Sequence, residues 1–249
     1  MNENKMTMSR REAIFGAGKI AAGAAALSFG ASRLVGPALA KEAATFPWGY
    51  KKIDPEQAGE IAYEAWYEHY CCYAVVNGVL KPLQEKIGEP YASLPLIAFK
   101  WGHGGAVGWG TLCGTLNGTG ISTGLIAGDE GEKILNDVIA WYTETELPIY
   151  KPKRMRSMVK NVNTSASPLC HVSVGKWMKK EGVAFDSPQR ADRCARVAAD
   201  VAMKTVMLLN DREDGKYKPS HGENLKDYNI TTQENCMECH GGDIPSPKT

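Results

Sequence analysis

The sequence predicts a mostly α protein: a helical body interrupted by a glycine-rich bend and followed by a loop-rich C-terminal tail. Apolar residues recur at three- and four-residue steps over residues 58–72, 134–142 and 191–208, the spacing of one helical face. Asp54-Pro55-Glu56 and Ser187-Pro188 have the composition of helix starts, with a capping side chain followed by proline in the first turn. From Asp211 onward Gly, Pro, Lys, Asn and Asp dominate and no period survives. With 249 residues and 43% apolar composition, the chain can bury one good core or two small ones.

Residues 9–40 have the order of an export signal. Ser9-Arg10-Arg11-Glu12-Ala13-Ile14-Phe15 precedes a weakly apolar Ala/Gly run from Ile20 to Phe29, and Ala38-Leu39-Ala40 closes it. The three regions in order resemble a bacterial twin-arginine signal, residues 1–40, cleaved before Lys41 and delivering the chain to the periplasm. The alternative is a membrane anchor. Lys19 and Arg33 bracket an apolar run shorter than the ~20 residues a spanning helix needs, so no stable membrane span is expected. The twin-arginine route carries folded proteins, often with a cofactor inserted beforehand, and so points to a prosthetic group assembled before export.

The body, residues 41–210, opens with a short irregular leader from Lys41 to Lys52. A first helix then runs from Asp54 to about Ile87, with Ala58, Ile61, Ala62, Ala65, Trp66, His69 and Cys72 on one face. Leu94 to Trp101 is a short apolar segment leading into the bend at residues 103–114. No alternating strand precedes that bend and no Gly-Lys-Ser/Thr closes it, so a phosphate loop is disfavoured; its glycines instead let two helices approach closely. Further helices are expected over Glu130 to Thr145, Pro168 to Lys180 and Ser187 to Asn210. The basic loop at residues 151–156 reads as a solvated face, with an acidic docking partner as the alternative. Removing the first 40 residues leaves 24 Lys and Arg against 26 Asp and Glu. No concentrated basic face marks a nucleic-acid partner.

The tail, residues 211–249, contains Cys236-Met237-Glu238-Cys239-His240, a complete C-x-x-C-H. That spacing lets two thiols add to the haem vinyl groups while the adjacent imidazole reaches the iron, so the tail is read as a haem-binding segment. Half of a zinc site is the alternative, with Cys170-His171 supplying the remainder. The second axial ligand is sought among His69, His103, His171 and His221. His221, in the same tail, and His103, beside the bend, are the first choices.

Five cysteines remain: Cys71, Cys72, Cys113, Cys170 and Cys194. One or two fit an ordinary core, but five in an exported chain without evident pairing point to soft metal ligands. Cys72-Tyr73-Ala74-Val75-Val76, the stretch Gly105 to Gly118 around Cys113, then Cys170 and Cys194 resemble the four-cysteine redox family with a C…CGAxxG…C…C pattern. The likeness covers about residues 60 to 210, and Thr115 stands where that family has alanine. Together with the C-x-x-C-H tail, the chain resembles the split-Soret cytochromes c of sulfate-reducing bacteria. The resemblance implies a homodimer with stacked bis-histidinyl c-type haems, haem ligands shared between subunits, and an iron–sulfur cluster such as [2Fe-2S]. It implies that Cys236, Cys239 and His240 attach the haem and that Cys72, Cys113, Cys170 and Cys194 hold the cluster, Cys71 being the alternative to Cys72. That family has two haems per subunit, whereas this sequence has one complete attachment motif; Ser167-Pro168-Leu169-Cys170-His171 reads as a half motif or as part of the cluster site. The expected function is electron transfer to an external redox protein. The rival is a haem and iron–sulfur reductase acting on a small oxyanion.

Overall fold

The computed structural model describes residues 45–222 and 232–234. The export segment and Cys236, Cys239 and His240 lie outside the described residues. The body is mostly helical, as the periodicity predicts.

Helix α1 (Pro55–Lys86) starts where expected: the Asp54 carboxylate accepts the Glu56 N–H at 3.0 Å, and Pro55 occupies the first turn. The face counted from Ala58 does not, however, run unbroken through His69 to Cys72. His69 (φ −146°, ψ 27°) and Tyr70 (φ 66°, ψ −159°) leave helical geometry and kink the helix. Positive φ at a bulky residue is strained and persists only where surrounding contacts hold it. One such contact is the Cys72 N–H, which donates to the Gly102 carbonyl at 3.1 Å. Beyond the kink every residue from Ala74 to Leu80 is buried.

Leu96–Trp101 forms a 3₁₀ helix, and the bend follows. Helix α2 (Gly114–Ala127) was not expected. Its run of Gly and Thr has low intrinsic propensity and no one-sided apolar stripe. Tertiary packing overrides propensity here. Gly118 lies against Val75 and the Cys72 backbone, and the Thr119 and Thr205 hydroxyls meet at 3.0 Å in the core.

Helix α3 (Asp129–Glu144) buries Ile134, Val138 and Tyr142. A two-residue antiparallel ladder, β1 (Glu146–Leu147) with β2 (Asn163–Thr164), pairs Glu146 with Thr164 and Leu147 with Asn163. Strands this short carry no period, so the sequence held no signal for them. Helix α4 (Cys170–Glu181) begins two residues after Pro168, and its Trp177 is buried with the indole N–H donating to the Asn161 carbonyl at 2.8 Å. Helix α5 (Pro188–Glu213) extends into the segment expected to be loop, held at its end by Arg212 to Glu130 at 2.7 Å. Asn210 Nδ2 donates to the Ile53 carbonyl at 2.8 Å and Oδ1 accepts the Tyr50 hydroxyl at 2.9 Å. Ser187 caps α5 by accepting the Arg190 N–H. Ser187→Ala is expected to cost about 1 kcal/mol, read as a lower urea midpoint with an unchanged m-value.

The principal packing is α1 on α5, with α2 filling the angle against α1 and α3. The first half of α5 is buried on more than the predicted stripe, because its polar residues find partners. Asp192 accepts the Tyr63 and Tyr67 hydroxyls and pairs with Arg196 at 2.6 Å. The basic loop folds back on α1: Lys153 meets Glu60 at 2.7 Å, Arg156 meets Glu64 at 2.6 Å, and the Arg156 guanidinium lies 3.7 Å from the Tyr67 ring centre. No helix among the described residues is long and apolar enough to cross a membrane.

Candidate metal centre

The five cysteines of the body are free thiols, and all but Cys170 are buried. The bend is what brings the distant ones together. Leu112 pairs with Leu169 in an isolated antiparallel bridge, the Cys113 N–H donates to Pro168 O at 2.8 Å, and the Cys170 N–H donates to Thr111 O at 2.8 Å. This cross-link seats Cys113 at the N-terminal end of α2 beside Cys170, the first residue of α4. Helix N-termini favour anionic sulfur. Cys194 comes from the first half of α5 and Cys71 from the kink in α1.

The glycines of the bend serve close approach. A Cβ on Gly114 would strike the Gly102 carbonyl and the Cys71 side chain, and one on Gly102 would strike Cys72. Large residues at either position would force α1 and α2 apart.

Cys71, Cys170 and Cys194 line a cavity of about 510 Å³ together with Trp66, Tyr70 and His103. Cys72 is not on that wall; it is fully buried behind it against Gly102. Electrostatics separate the neighbours in the same way. Burial, then the like charges of Cys113, Cys194 and Cys170, push the Cys71 thiol well up, with the Trp66 N–H opposing. The Cys170 thiol is pushed up to about 12 by burial and then by Cys113 and Cys194, against Arg193 and Arg190. The Cys72 thiol also rises to about 12, but through burial and Cys113 alone. Thus Cys71, Cys113, Cys170 and Cys194 form one mutually interacting set, and Cys72 touches its edge.

Soft thiolate donors suit a transition metal, and a bound metal removes the proton that burial otherwise retains. Among the described residues no three His, Cys, Asp or Glu converge closely enough to hold a single ion. Three of the four thiols are instead spread over the cavity wall, with Cys113 buried beside Cys170, an arrangement that fits a centre of several atoms. Polar groups already address the sulfurs: the Trp66 indole N–H donates to Cys71 Sγ at 3.4 Å, and the Thr115 hydroxyl lies 3.2 Å from Cys113 Sγ.

The histidines separate into distinct settings. His103 borders the thiol cavity and also a second hollow of about 400 Å³ that contains His69, Tyr70, Trp101 and Val107. His171 Nδ1 lies 2.8 Å from the Gly110 carbonyl. His221 is elsewhere, held against α3, and does not line the cavity. Its N–H donates to Asp137 Oδ1 at 2.8 Å, and its carbonyl accepts from Asn136 Nδ2 at 3.2 Å. Asp137 is buried and also accepts the Tyr217 hydroxyl and the Ser220 N–H, while Asn136 Oδ1 accepts from Gln233. This pair fastens the described parts of the tail to the body. Asp137→Asn is expected to weaken that attachment by about 1–3 kcal/mol. Limited proteolysis should then cut after residue 213 earlier than in the parent protein, leaving the body intact.

Sequence reasoning missed Arg190, Arg193 and Tyr142 as neighbours of the centre. The signal for the two arginines was their placement one turn apart immediately before Cys194, on a helix whose stripe is otherwise apolar.

The family described as "Putative redox-active protein (C_GCAxxG_C_C)" matches residues 69–208. The split-Soret cytochrome c of Desulfovibrio desulfuricans is 31% identical, over 94% of this chain and 88% of that protein. A solved structure of split-Soret cytochrome c from the same species, described as holding a novel iron centre, superposes with a TM-score of 0.68 at 29% identity. That likeness covers 81% of this chain and 86% of the other.

Proposed function

We propose that this chain, which belongs to the split-Soret cytochrome c family of redox proteins, is a periplasmic multi-centre cytochrome. It carries electrons between an iron–sulfur centre, a c-type haem and an external redox partner. The observation that carries this reading is the convergence of Cys71, Cys170 and Cys194 on one cavity bordered by His103, with Cys113 as their electrostatic neighbour, in a chain that also has Cys236-x-x-Cys239-His240.

Cys71, Cys113, Cys170 and Cys194 are the proposed cluster ligands, with Cys71 taking the place first given to Cys72. Cys236, Cys239 and His240 are the proposed haem attachment, and His103 and His221 the proposed imidazole ligands from this chain or its partner. When bound, both groups exchange single electrons. The protein's own contribution is positional and electrostatic. Trp66 and Thr115 offer hydrogen bonds to sulfur, and the largely apolar wall limits water, both of which adjust potential. His103 lies between the thiol cavity and the second hollow, where an imidazole ligand would bring haem close to the cluster.

Homodimerisation is part of the proposal. Tyr70, Ile97, Trp101, Val107 and Trp109 are exposed around the bend, Trp109 at 82%, and apolar surface of this kind marks a contact face. Twin-arginine export accords with insertion of the cluster before translocation.

Visible spectroscopy of the full-length protein tests the reading. A low-spin haem that excludes carbon monoxide, with a doubled or displaced Soret band from haem stacking, is expected. Absence of haem absorbance would contradict the cytochrome reading outright, and a high-spin haem that binds carbon monoxide when reduced would contradict the carrier and favour the reductase.

A further inference from the structure

Arg193 is 2% exposed, yet no carboxylate lies within ion-pair distance of it among the described residues. Its Nη2 donates to Ser173 Oγ at 2.8 Å, the same oxygen that accepts the Tyr142 hydroxyl at 2.8 Å, while Nε has no hydrogen-bond partner. Arg196, one turn on, is a contrast: its charge is met directly by Asp192. Burying a cation without an opposite charge is costly, and native structures seldom keep one unless something compensates.

The groups facing Arg193 identify the compensation. Arg193 is next in sequence to Cys194, and Ser173, which its guanidinium contacts, lies one turn after Cys170 on α4, so the cation sits among the thiols, with Cys194, Tyr142 and Cys113 as its electrostatic neighbours. Arg190, one turn earlier on α5, lines the cavity with Cys170 and Cys194. Asp200 faces Arg193 and Arg196 from farther along α5, but its carboxylate is already engaged by the Ile149 and Tyr150 N–H groups at 2.9 and 2.8 Å. Neutral thiols would leave Arg193 with little to balance it. Thiolates bound to a metal centre would supply the missing negative charge.

We propose that Arg193 is the internal counter-charge of the thiol centre, oriented by Ser173 and placed to neutralise Cys113, Cys170 and Cys194 and to raise the reduction potential of the group they hold. Reduction by an external donor adds one electron, and hence one negative charge, beside a fixed cation, which stabilises the reduced form. This inference rests on the proposed iron–sulfur centre. Arg193 is a positioning and electrostatic residue with no ligand role.

The test compares full-length parent protein with Arg193→Met, Arg193→Lys and Ser173→Ala. Non-haem iron per chain is measured, and the non-haem centre is titrated electrochemically by electron paramagnetic resonance. At the parent midpoint, Arg193→Met is expected to lower the reduced-to-oxidised ratio about tenfold or more, about 59 mV for a one-electron couple. Arg193→Lys should restore most of the ratio, and Ser173→Ala should move it the same way by less. If Arg193→Met fails to fold, as loss of the haem spectrum would show, Ser173→Ala decides. Parent-like potentials in the variants that fold, or an equal fall in Arg193→Lys and Arg193→Met, would overturn the proposal. A parent protein without non-haem iron would instead sink the reading of the thiols as a cluster site, and this inference with it.

Discussion

Cys71→Ser is expected to strip the non-haem iron from the full-length protein, whereas Cys72→Ser should leave it in place. The two thiols are adjacent in sequence, so a regular helix would present them about 100° apart, and periodicity cannot say which one faces the site. The break at His69 and Tyr70 settles their directions: Cys71 lines the cavity with Cys170 and Cys194, while Cys72 packs behind it against Gly102. Outer-shell changes at metal sites cost roughly 10–100-fold in affinity, so loss of a direct ligand should lower iron retention at least as much. Iron analysis after gel filtration reads the result. Iron lost from Cys72→Ser and kept in Cys71→Ser would reverse the assignment.

Asp192→Ala is expected to destabilise the fold by about 3–5 kcal/mol, the range for removing one member of a buried ion pair. Asp192 has no exposed surface, and its carboxylate serves Tyr63, Tyr67 and Arg196 together. It therefore ties α5 to α1 two residues before Cys194. Without it, Arg196 keeps a buried charge and two tyrosine hydroxyls lose their acceptor. Urea denaturation monitored by far-ultraviolet circular dichroism measures the loss. Asp192→Ala combined with Arg196→Met should recover part of it, since the uncompensated cation is then gone. A single variant within about 0.5 kcal/mol of the parent, the usual span of neutral surface changes, would show that the network carries no weight.

The parts of this fold that can be read from sequence are those decided by neighbouring residues. Asp54-Pro55 and Ser187-Pro188 announce helix starts because capping and a missing N–H act within one turn. The C-x-x-C-H at 236–240 is readable for the same reason, its chemistry being set by spacing alone. Helix α2 is hidden because its stability comes from small residues packed on α1, with nothing in Gly-Thr-Leu-Asn-Gly-Thr-Gly that favours a helix locally. The kink is equally hidden, since strain at Tyr70 is maintained by contacts from the bend. Cys113, Cys170 and Cys194 are identifiable as candidates by residue type and by family resemblance, but their meeting depends on the Leu112 to Leu169 bridge. The role of Arg193 depends on there being no carboxylate within ion-pair distance of it among the described residues, which is a property of the folded chain.

Parallel determination of haem, non-haem iron and acid-labile sulfide on one preparation of the full-length protein, isolated without oxygen, tests the central claim most directly. The four-thiol centre predicts covalently bound haem together with non-haem iron and labile sulfide, and protection of the body cysteines from alkylation until the iron is chelated. Haem as the sole iron, or zinc in its place, with Cys71, Cys113, Cys170 and Cys194 all alkylated as readily before chelation as after, would contradict it.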